Sequence, residues 1–390
     1  MRSFDFAAFL ASVAVLVSSS FAGRGANGTL VVGETRFEFE SWVILHGKEY
    51  ATKEEKQRRK EIFKENVAKI NAHNARNDVT YEMGLNEFTD MTPMEFKRLV
   101  SRPYSPRKLE AVESFIDPAT SLAPASVDWT AQGAVTPVKN QGSCGSCWSF
   151  STTGSLEGAY FLATGSLRSL SEQQLVDCST ANNGCGGGSF QNAFEYILNN
   201  SGIDSETDYS YQAYQMPCWT NATRRRVAAL SSYKNVPTND EEQLQLAVAL
   251  GPVSVAIEAD QSIFQSYKSG IISNASCGTK LDHGVLVTGY TSEYWIVKNS
   301  WGASWGEKGY VKIARGSSPS GICGINIDPS YPVVPKGAPL PVPPPTPGQH
   351  GLKCNCTMSC EKTCNQFGMV CCGNGIDCQC SPQSACPKCK

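Results

Sequence analysis

Apolar residues recur at two different spacings along this chain. Phe63, Val67 and Ile70 stand at i, i+4 and i+7 in a Lys/Arg/Glu-rich stretch, which predicts an amphipathic helix, although a solvated surface helix would look similar. After Gly251 the pattern changes to short β-rich runs punctuated by Gly and Asn, at residues 253–257, 285–290, 294–298 and 310–314. Helices first and strands second indicate an α+β fold of two subdomains, with a site in the cleft between them.

Glycine and capping residues mark where further helices begin and end. A helix is predicted from about residue 146 to 164, because Gly165 is a natural stop. Two more helices are predicted from capping boxes, in which Ser or Thr is followed three residues later by Gln or Glu: Ser171 with Gln174, and Thr238 with Glu241.

The N-terminus predicts secretion. Arg2, an apolar run at residues 6–17 and a small-residue site ending at Ala22 are typical of a signal peptide, and no later stretch is long and apolar enough to span a membrane. A net charge of −2 gives no reason to expect nucleic acid as a partner. Glycosylation sequons begin at Asn27, Asn199, Asn221, Asn274 and Asn355.

The C-terminal part of the chain is a proline-rich stretch followed by a cysteine-rich one. Prolines dominate residues 332–347, which predicts a semi-rigid linker. Ten of the 17 cysteines then crowd between Cys354 and Cys389, in a segment too small for a hydrophobic core, so disulfides are expected to hold it. An even number of cysteines and no histidine after His350 favour five bridges over a zinc site.

The sequence Q-G-S-C-G-S-C-W at residues 141–148 is the strongest candidate for chemistry. At the start of a helix, the free N–H groups and the helix dipole would favour the thiolate of Cys147, making it a nucleophile. The alternative is that Cys144 and Cys147 form a C-x-x-C redox or zinc pair. Seven cysteines between residues 144 and 323 leave at least one unpaired, and His283 is the only histidine in that region, hence the only imidazole partner for a thiolate there.

Three groups of residues upstream of this stretch form recognisable motifs: first Phe39, Trp42, His46, Lys48 and Tyr50; then Glu55, Arg59, Phe63, Asn66, Ile70 and Asn74; then Gly84, Asn86, Phe88 and Asp90. They resemble, in order, the propeptide motifs of papain-family, cathepsin L-like cysteine proteases. Residues 124–129 resemble the start of the mature enzyme in that family. The residues around Cys147, His283 and Asn299 resemble its catalytic sequences, with spacings of 136 and 152 residues.

The resemblance implies a papain-like fold, with a helical left domain and an antiparallel β-barrel-like right domain. It implies that Cys147 is the nucleophile, His283 the acid–base, Asn299 its orienting partner and Gln141 the oxyanion donor, with Trp301 shielding the bond between His283 and Asn299. The implied disulfides are Cys144 with Cys185, Cys178 with Cys218, and Cys277 with Cys323. No metal or cofactor is expected.

Substrate-binding residues also follow from the resemblance. The implied main-chain contacts are Gly187 and Gly188, and the implied S2 walls are Phe190, Ala256, Leu281 and Gly284. At the floor of that pocket stands Asp328, whose carboxylate would pair with Arg at P2 while the walls still accept Leu or Phe. The alternative is that Asp328 turns to solvent.

The sequence therefore predicts a secretory zymogen of a cysteine endopeptidase, located in a lysosome- or vacuole-like compartment or outside the cell. Expected partners are protein and peptide substrates, its own propeptide as inhibitor, and cystatin-like inhibitors. The alternatives are an inactive peptide-binding relative, or a protease whose granulin-like or other disulfide module at the C-terminus is the main functional element. The predicted divisions are a signal peptide (1–22), a propeptide (23–121), a peptidase domain (122–335), a linker (336–350) and a cysteine-rich module (351–390).

Overall fold

The structure is a computed structural model. It describes residues 32–100, 104, 114–118, 123–219, 225–273, 277–316 and 318–337, with only the backbone of 32–37, 369–372 and 379–382. The predicted signal peptide, most of the linker and most of the cysteine-rich module lie outside the described residues. The chain divides into two compact units, Met1–Lys64 and Glu65–Lys390.

The first unit is built around an aromatic cluster. Helix α1 spans Val32–Leu45, and helix α2 spans Lys53–Asn74 and continues into the second unit. The ring of Phe63 on α2 lies 5.4 Å from that of Phe39 and 5.2 Å from that of Trp42. The predicted apolar face of α2 is thus buried at Phe63.

In the second unit, the rest of α2 is tied to the chain that follows it. Val67 and Ile70 are buried, as the i, i+4, i+7 pattern predicts. The buried side chain of Asn66 donates to the carbonyls of Thr89 and Met91, each at 2.8 Å. In the chain, strand β1 (Tyr81–Met83) precedes the segment with these two carbonyls, and helix α3 (Pro93–Val100) follows it.

Three helices pack together next. They are α4 (Cys147–Thr164), α5 (Glu172–Cys178) and α6 (Phe190–Asn199). The predicted stop of α4 is confirmed by Gly165, which takes the left-handed conformation at φ 75°. The predicted cap of α5 is confirmed as well, since the Ser171 side chain accepts from the N–H of Gln174.

The remaining elements form one large sheet with two short helices. They are β2 (Val127–Asp128), β3 (Ser232–Asn235), α7 (Glu241–Leu250), β4 (Val253–Ile257), α8 (Ser262–Gln265), β5 (Tyr267–Ile272), β6 (His283–Tyr290), β7 (Tyr294–Lys298), β8 (Tyr310–Ala314) and β9 (Ser330–Val333). The strand order is β1-β5-β8-β7-β6-β4-β9-β3, with β2 paired to β6. Strands β10 (Met369–Cys372) and β11 (Gln379–Pro382) form a separate antiparallel pair.

The structure differs from the sequence-based expectations in three details. Helix α7 is capped by Asp240 and not by Thr238, because the Asp240 carboxylate accepts from the N–H of Gln243. Strand β6 begins two residues earlier than predicted, at His283, since its pairing with β4 extends that far. Strand β5 pairs with β8 in parallel, so the predicted antiparallel sheet contains one parallel pair.

Small residues let α4 lie directly on β6. A Cβ added to Gly154 would stand 2.8 Å from a methyl carbon of Leu286, and a Cβ added to Gly284 would stand 3.3 Å from the backbone of Trp148. The hydroxyl of Ser151 donates to the carbonyl of Val285 at 2.7 Å. The first turn of α4 is therefore in contact with the first residues of β6.

Replacing Asn66 by Ala should lower the apparent Tm of the full-length protein by about 3–6 °C, because two buried carbonyls lose their donor. Thermal unfolding followed by circular dichroism measures this. Lys69→Ala, at an exposed position of the same helix, is the matched control and should leave the Tm unchanged. Equal Tm values for the two variants would contradict the anchoring role of Asn66.

Candidate active site

Cys147 is the first residue of α4, where backbone N–H groups have no partner within the helix. Its side chain is 4 % exposed. Among the described cysteine side chains it is the one not in a disulfide. Cys147 is therefore a free thiol at a helix N-terminus.

The described disulfides account for the other six cysteines of this region. Their pairings are the three that the resemblance implies: Cys144 with Cys185, Cys178 with Cys218, and Cys277 with Cys323. Because Cys144 is bonded to Cys185, it does not form a redox or zinc pair with Cys147. Among the described residues, no cluster of His, Cys, Asp and Glu is arranged to hold a metal ion.

His283 opens β6 and is fully buried. Its Nε2 lies 2.8 Å from Oδ1 of Asn299, the residue after β7, so Nε2 carries the proton that Asn299 accepts. The Trp301 ring lies 4.7 Å from the imidazole and covers it. Nδ1 of His283 has no hydrogen-bond partner among the described residues.

The side chain of Gln141 is held at both of its polar atoms. Its Nε2 donates to the carbonyl of Cys144 at 3.0 Å, and its Oε1 accepts from the hydroxyl of Ser300 at 2.6 Å. The backbone N–H of Gln141 also donates to the carbonyl of Ser300 at 2.8 Å. Since an amide nitrogen carries two protons, one remains for another acceptor.

The predicted substrate-binding residues lie on helix α6, on strands β4 and β6, and in the segments between the elements. Phe190 begins α6, and Ala256 lies on β4. Asp328 is only 1 % exposed, so it does not turn to solvent. Its Oδ1 accepts from Nε2 of Gln191 at 2.9 Å. The other predicted residues are buried or half-buried: Gly187, Gly188, Leu281 and Gly284.

Comparison with known sequences decides the family. A profile described as "Papain family cysteine protease" matches residues 123–333, and one described as "Cathepsin propeptide inhibitor domain (I29)" matches residues 39–96. The chain belongs to the papain family of cysteine proteases. It is an endopeptidase made as a zymogen with an inhibitory propeptide, and its α+β architecture is the papain-like fold.

Individual relatives of this papain-family protease extend over nearly all of it. "Probable cysteine protease RD21C" of Arabidopsis thaliana is 41 % identical over 399 residues, which cover 99 % of this chain and 86 % of the relative. The solved "Recombinant stem bromelain precursor" is 44 % identical, with a TM-score of 0.72, over 77 % of this chain and 99 % of that one. Digestive procathepsin L 3 of Tenebrio molitor larval midgut is 42 % identical, with a TM-score of 0.71, over 77 % and 99 % of the two chains.

In this papain-family zymogen, Tyr104 lies in the region predicted to be the S2 pocket. Its hydroxyl donates to Oδ2 of Asp328 at 2.8 Å, and its ring stands 5.5 Å from that of Phe190. Tyr104 belongs to the segment between the propeptide match and the peptidase match. The side chain therefore occupies space that a substrate side chain would need.

Burial keeps the thiol and the imidazole of this protease uncharged. Burial raises the pKa of the Cys147 thiol to about 11, although the N–H groups of Gly284 and Trp148 oppose the shift. Burial also lowers the pKa of His283 to about 4, although the hydrogen bond to Asn299 opposes it. Between these two pH values burial favours the uncharged forms of both the thiol and the imidazole in the zymogen.

Sequence reasoning missed three residues that shape this protease's site. Ser300 holds the Gln141 amide, Gln191 bonds to Asp328, and Tyr104 fills the pocket. Ser300 follows Asn299 directly, and Gln191 follows Phe190, so proximity in sequence was an available signal for both. Nothing local distinguishes Tyr104, because its role depends on where the propeptide crosses the cleft.

Among the described residues, no helix is both long and apolar enough to cross a membrane.

The rate of Cys147 alkylation by iodoacetamide in the intact zymogen should rise about tenfold per pH unit between pH 6 and 9, with no plateau. The reason is that the thiolate fraction grows in this way below a pKa of about 11. Mass spectrometry of the Cys147 peptide measures the rate, and Cys147→Ala gives the background. A plateau in that range would mean that an ion pair already exists in the zymogen.

Proposed function

We propose that this protease hydrolyses peptide bonds with Cys147 as nucleophile and His283 as acid–base catalyst. The observation that supports this most directly is the free thiol at the start of α4 beside β6, the strand that His283 opens. Nε2 of His283 is bonded to Asn299, which leaves Nδ1 as the nitrogen for proton exchange with the thiol. Asn299 fixes the ring orientation, and Trp301 shields that hydrogen bond.

The reaction has two stages. The Cys147 proton passes to His283, and the thiolate sulfur attacks the peptide carbonyl to form a tetrahedral intermediate. His283 gives the proton to the leaving amine as the C–N bond breaks, leaving a thioester on Cys147. Water then loses a proton to His283 and attacks the thioester, which releases the acid and restores the thiol.

Two N–H donors stabilise the oxyanion of each tetrahedral intermediate. One is the side-chain amide of Gln141, whose second proton is not used by Cys144. The other is the backbone N–H of Cys147 at the helix N-terminus. Both are fixed before substrate arrives, which is the arrangement that lowers a barrier most effectively.

The propeptide controls this chemistry by occupying the cleft. Its removal takes Tyr104 out of the pocket and admits water to Cys147 and His283, which permits the thiolate–imidazolium pair to form. The expected partners are protein and peptide substrates and cystatin-like inhibitors. The expected site of action is within the secretory pathway, in a lysosome- or vacuole-like compartment or outside the cell. In this scheme the inhibitory propeptide is residues 23–121 and the peptidase domain is residues 122–335.

Cys147→Ala should lower kcat/KM for a peptide substrate by a factor on the order of 10⁴ or more, because no other group can form the thioester. An added aspartic protease first removes the propeptide and is then inhibited. Activity is measured afterwards, so that inhibition by the propeptide is not mistaken for a loss of catalysis. Glu195→Ala, on the exposed face of α6, is the control and should keep full activity. Retained hydrolysis by Cys147→Ala would refute the assignment.

Asp328 is proposed to set specificity at P2. Its buried carboxylate accepts the Tyr104 hydroxyl in the zymogen, and this hydrogen bond is lost once the propeptide leaves. A P2 Arg supplies charged donors, while Phe190 and the other walls accept Leu or Phe. The enzyme should therefore cleave both P2-Arg and P2-Leu substrates.

Asp328→Asn should lower the ratio of kcat/KM for P2-Arg over P2-Leu substrates at least about tenfold, because the amide keeps the shape of the side chain and removes its charge. Matched peptides that differ at P2 alone, assayed at neutral pH, measure the ratio. The wild-type enzyme with each peptide is the reference. If wild type never accepts P2-Arg at neutral pH, the proposal for Asp328 is wrong.

A further inference from the structure

One phenol bonds both to Gln141 and to the residue before Cys147, next to the two groups proposed to bind the oxyanion. The hydroxyl of Tyr211 donates to the backbone carbonyl of Gln141 at 2.8 Å. The hydroxyl of Ser146 lies 2.6 Å from the same phenol oxygen. Because the phenol proton is directed at Gln141, Ser146 is the donor in the second bond. A chain of two hydrogen bonds thus joins the residue before Cys147 to Gln141, and such chains strengthen both bonds.

Ser146 differs from the N-cap residues of α5, α6 and α7. At the N-termini of α5, α6 and α7, the side chains of Ser171, Ser189 and Asp240 accept from a backbone N–H of the first turn. Ser146 is the N-cap residue of α4, yet its side chain makes no capping bond. Its hydroxyl is held by Tyr211 instead. The N–H of Ser149, the group that such a cap would bind, donates to the Ser146 carbonyl at 2.7 Å.

Tyr211 itself is held firmly. Its backbone N–H donates to Oε1 of Glu206 at 2.8 Å, and its ring meets that of Phe150 edge to face at 4.9 Å. The N–H of the next residue, Gln212, donates to Oε1 of Gln173 on α5 at 2.8 Å. Burial raises the pKa of the Tyr211 hydroxyl above its usual range, so the phenol stays protonated and can donate.

We propose that Tyr211 is a positioning residue for the oxyanion hole. It holds the main chain of Gln141, which carries the side-chain amide donor, and it holds the hydroxyl of Ser146, the residue directly before Cys147. Tyr211 touches neither the thiol nor the imidazole in any described hydrogen bond, so it acts through these two residues. The proposal rests on the proposed function, in which Cys147 forms a tetrahedral intermediate.

Tyr211→Phe is the test, and Tyr209→Phe is its matched control. Tyr209 lies in the same segment, and its hydroxyl also makes two hydrogen bonds, donating to Asp177 at 2.8 Å and accepting from the N–H of Trp219 at 3.0 Å. Both variants lose one phenol hydroxyl and two bonds. Only the two bonds lost in Tyr211→Phe hold Gln141 and the residue next to Cys147, which carry the proposed oxyanion donors.

For the matured Tyr211→Phe enzyme, kcat on an amide substrate should fall about tenfold with KM within twofold of wild type, since a lost oxyanion donor itself costs a hundredfold or more. A peptide aldehyde, whose adduct places an oxygen in the hole, should bind weaker by the same factor. Alkylation of Cys147 by iodoacetamide needs no oxyanion hole and should keep its rate and pH profile. Tyr209→Phe should leave all of these readings unchanged.

A Tyr211→Phe enzyme with kcat within twofold of wild type would overturn the proposal. An equal loss in kcat and in alkylation would overturn it too, because that pattern reports a disturbed thiol. If Tyr211→Phe does not fold, Ser146→Ala takes its place and should lower kcat with alkylation unchanged; no loss there would also overturn the proposal. Failure of the proposed function is recognised separately, by activity that persists in Cys147→Ala.

Discussion

The close contact between α4 and β6 is the constraint on which the site depends. Cys147 starts the helix and His283 starts the strand, so their side chains meet only if the two backbones approach without intervening side chains. Gly284 lets the strand approach the backbone of Trp148, Gly154 makes room for the Leu286 side chain, and Ser151 adds a hydrogen bond between helix and strand. A larger residue at Gly284 would press on the backbone of Trp148 and so move the strand away from the proposed nucleophile, because close-packed backbones have little free volume to absorb a Cβ.

Packing of the propeptide against the site explains how the zymogen stays latent without a covalent block. Phe88 and Phe96, within the propeptide, both pack edge to face on Trp301 at 5.6 Å, and Trp301 covers His283. Burial then favours the uncharged thiol and imidazole, since separated charges are costly away from water. Covering the site therefore disfavours the charged forms of Cys147 and His283. The contacts of Phe88 and Phe96 with Trp301 link propeptide docking to the proposed chemistry.

The sequence predicted the elements whose signals are local. Gly165 and Ser171 marked helix ends correctly because capping depends on neighbouring residues. Counting histidines selected His283, and counting cysteines showed that at least one is unpaired, but the family resemblance was needed to identify Cys147 as that cysteine. The parallel pairing of β5 and the place of Tyr104 were not predicted, because each depends on a partner more than 40 residues away whose position only the folded chain defines.

Gln141, the proposed oxyanion donor, and Asn299, the hydrogen-bond partner of His283, are held by two paired segments of the chain. The N–H of Gly302 donates to the carbonyl of Lys139 at 3.0 Å, and the N–H of Gln141 donates to the carbonyl of Ser300 at 2.8 Å, so these two segments pair like short antiparallel strands. The second segment directly follows Asn299. A movement of Gln141 would therefore also act on Asn299, the residue bonded to His283. In the proposed mechanism this backbone pairing holds the oxyanion donor and the base in register, and Tyr211 bonds to the Gln141 carbonyl, which the pairing does not use.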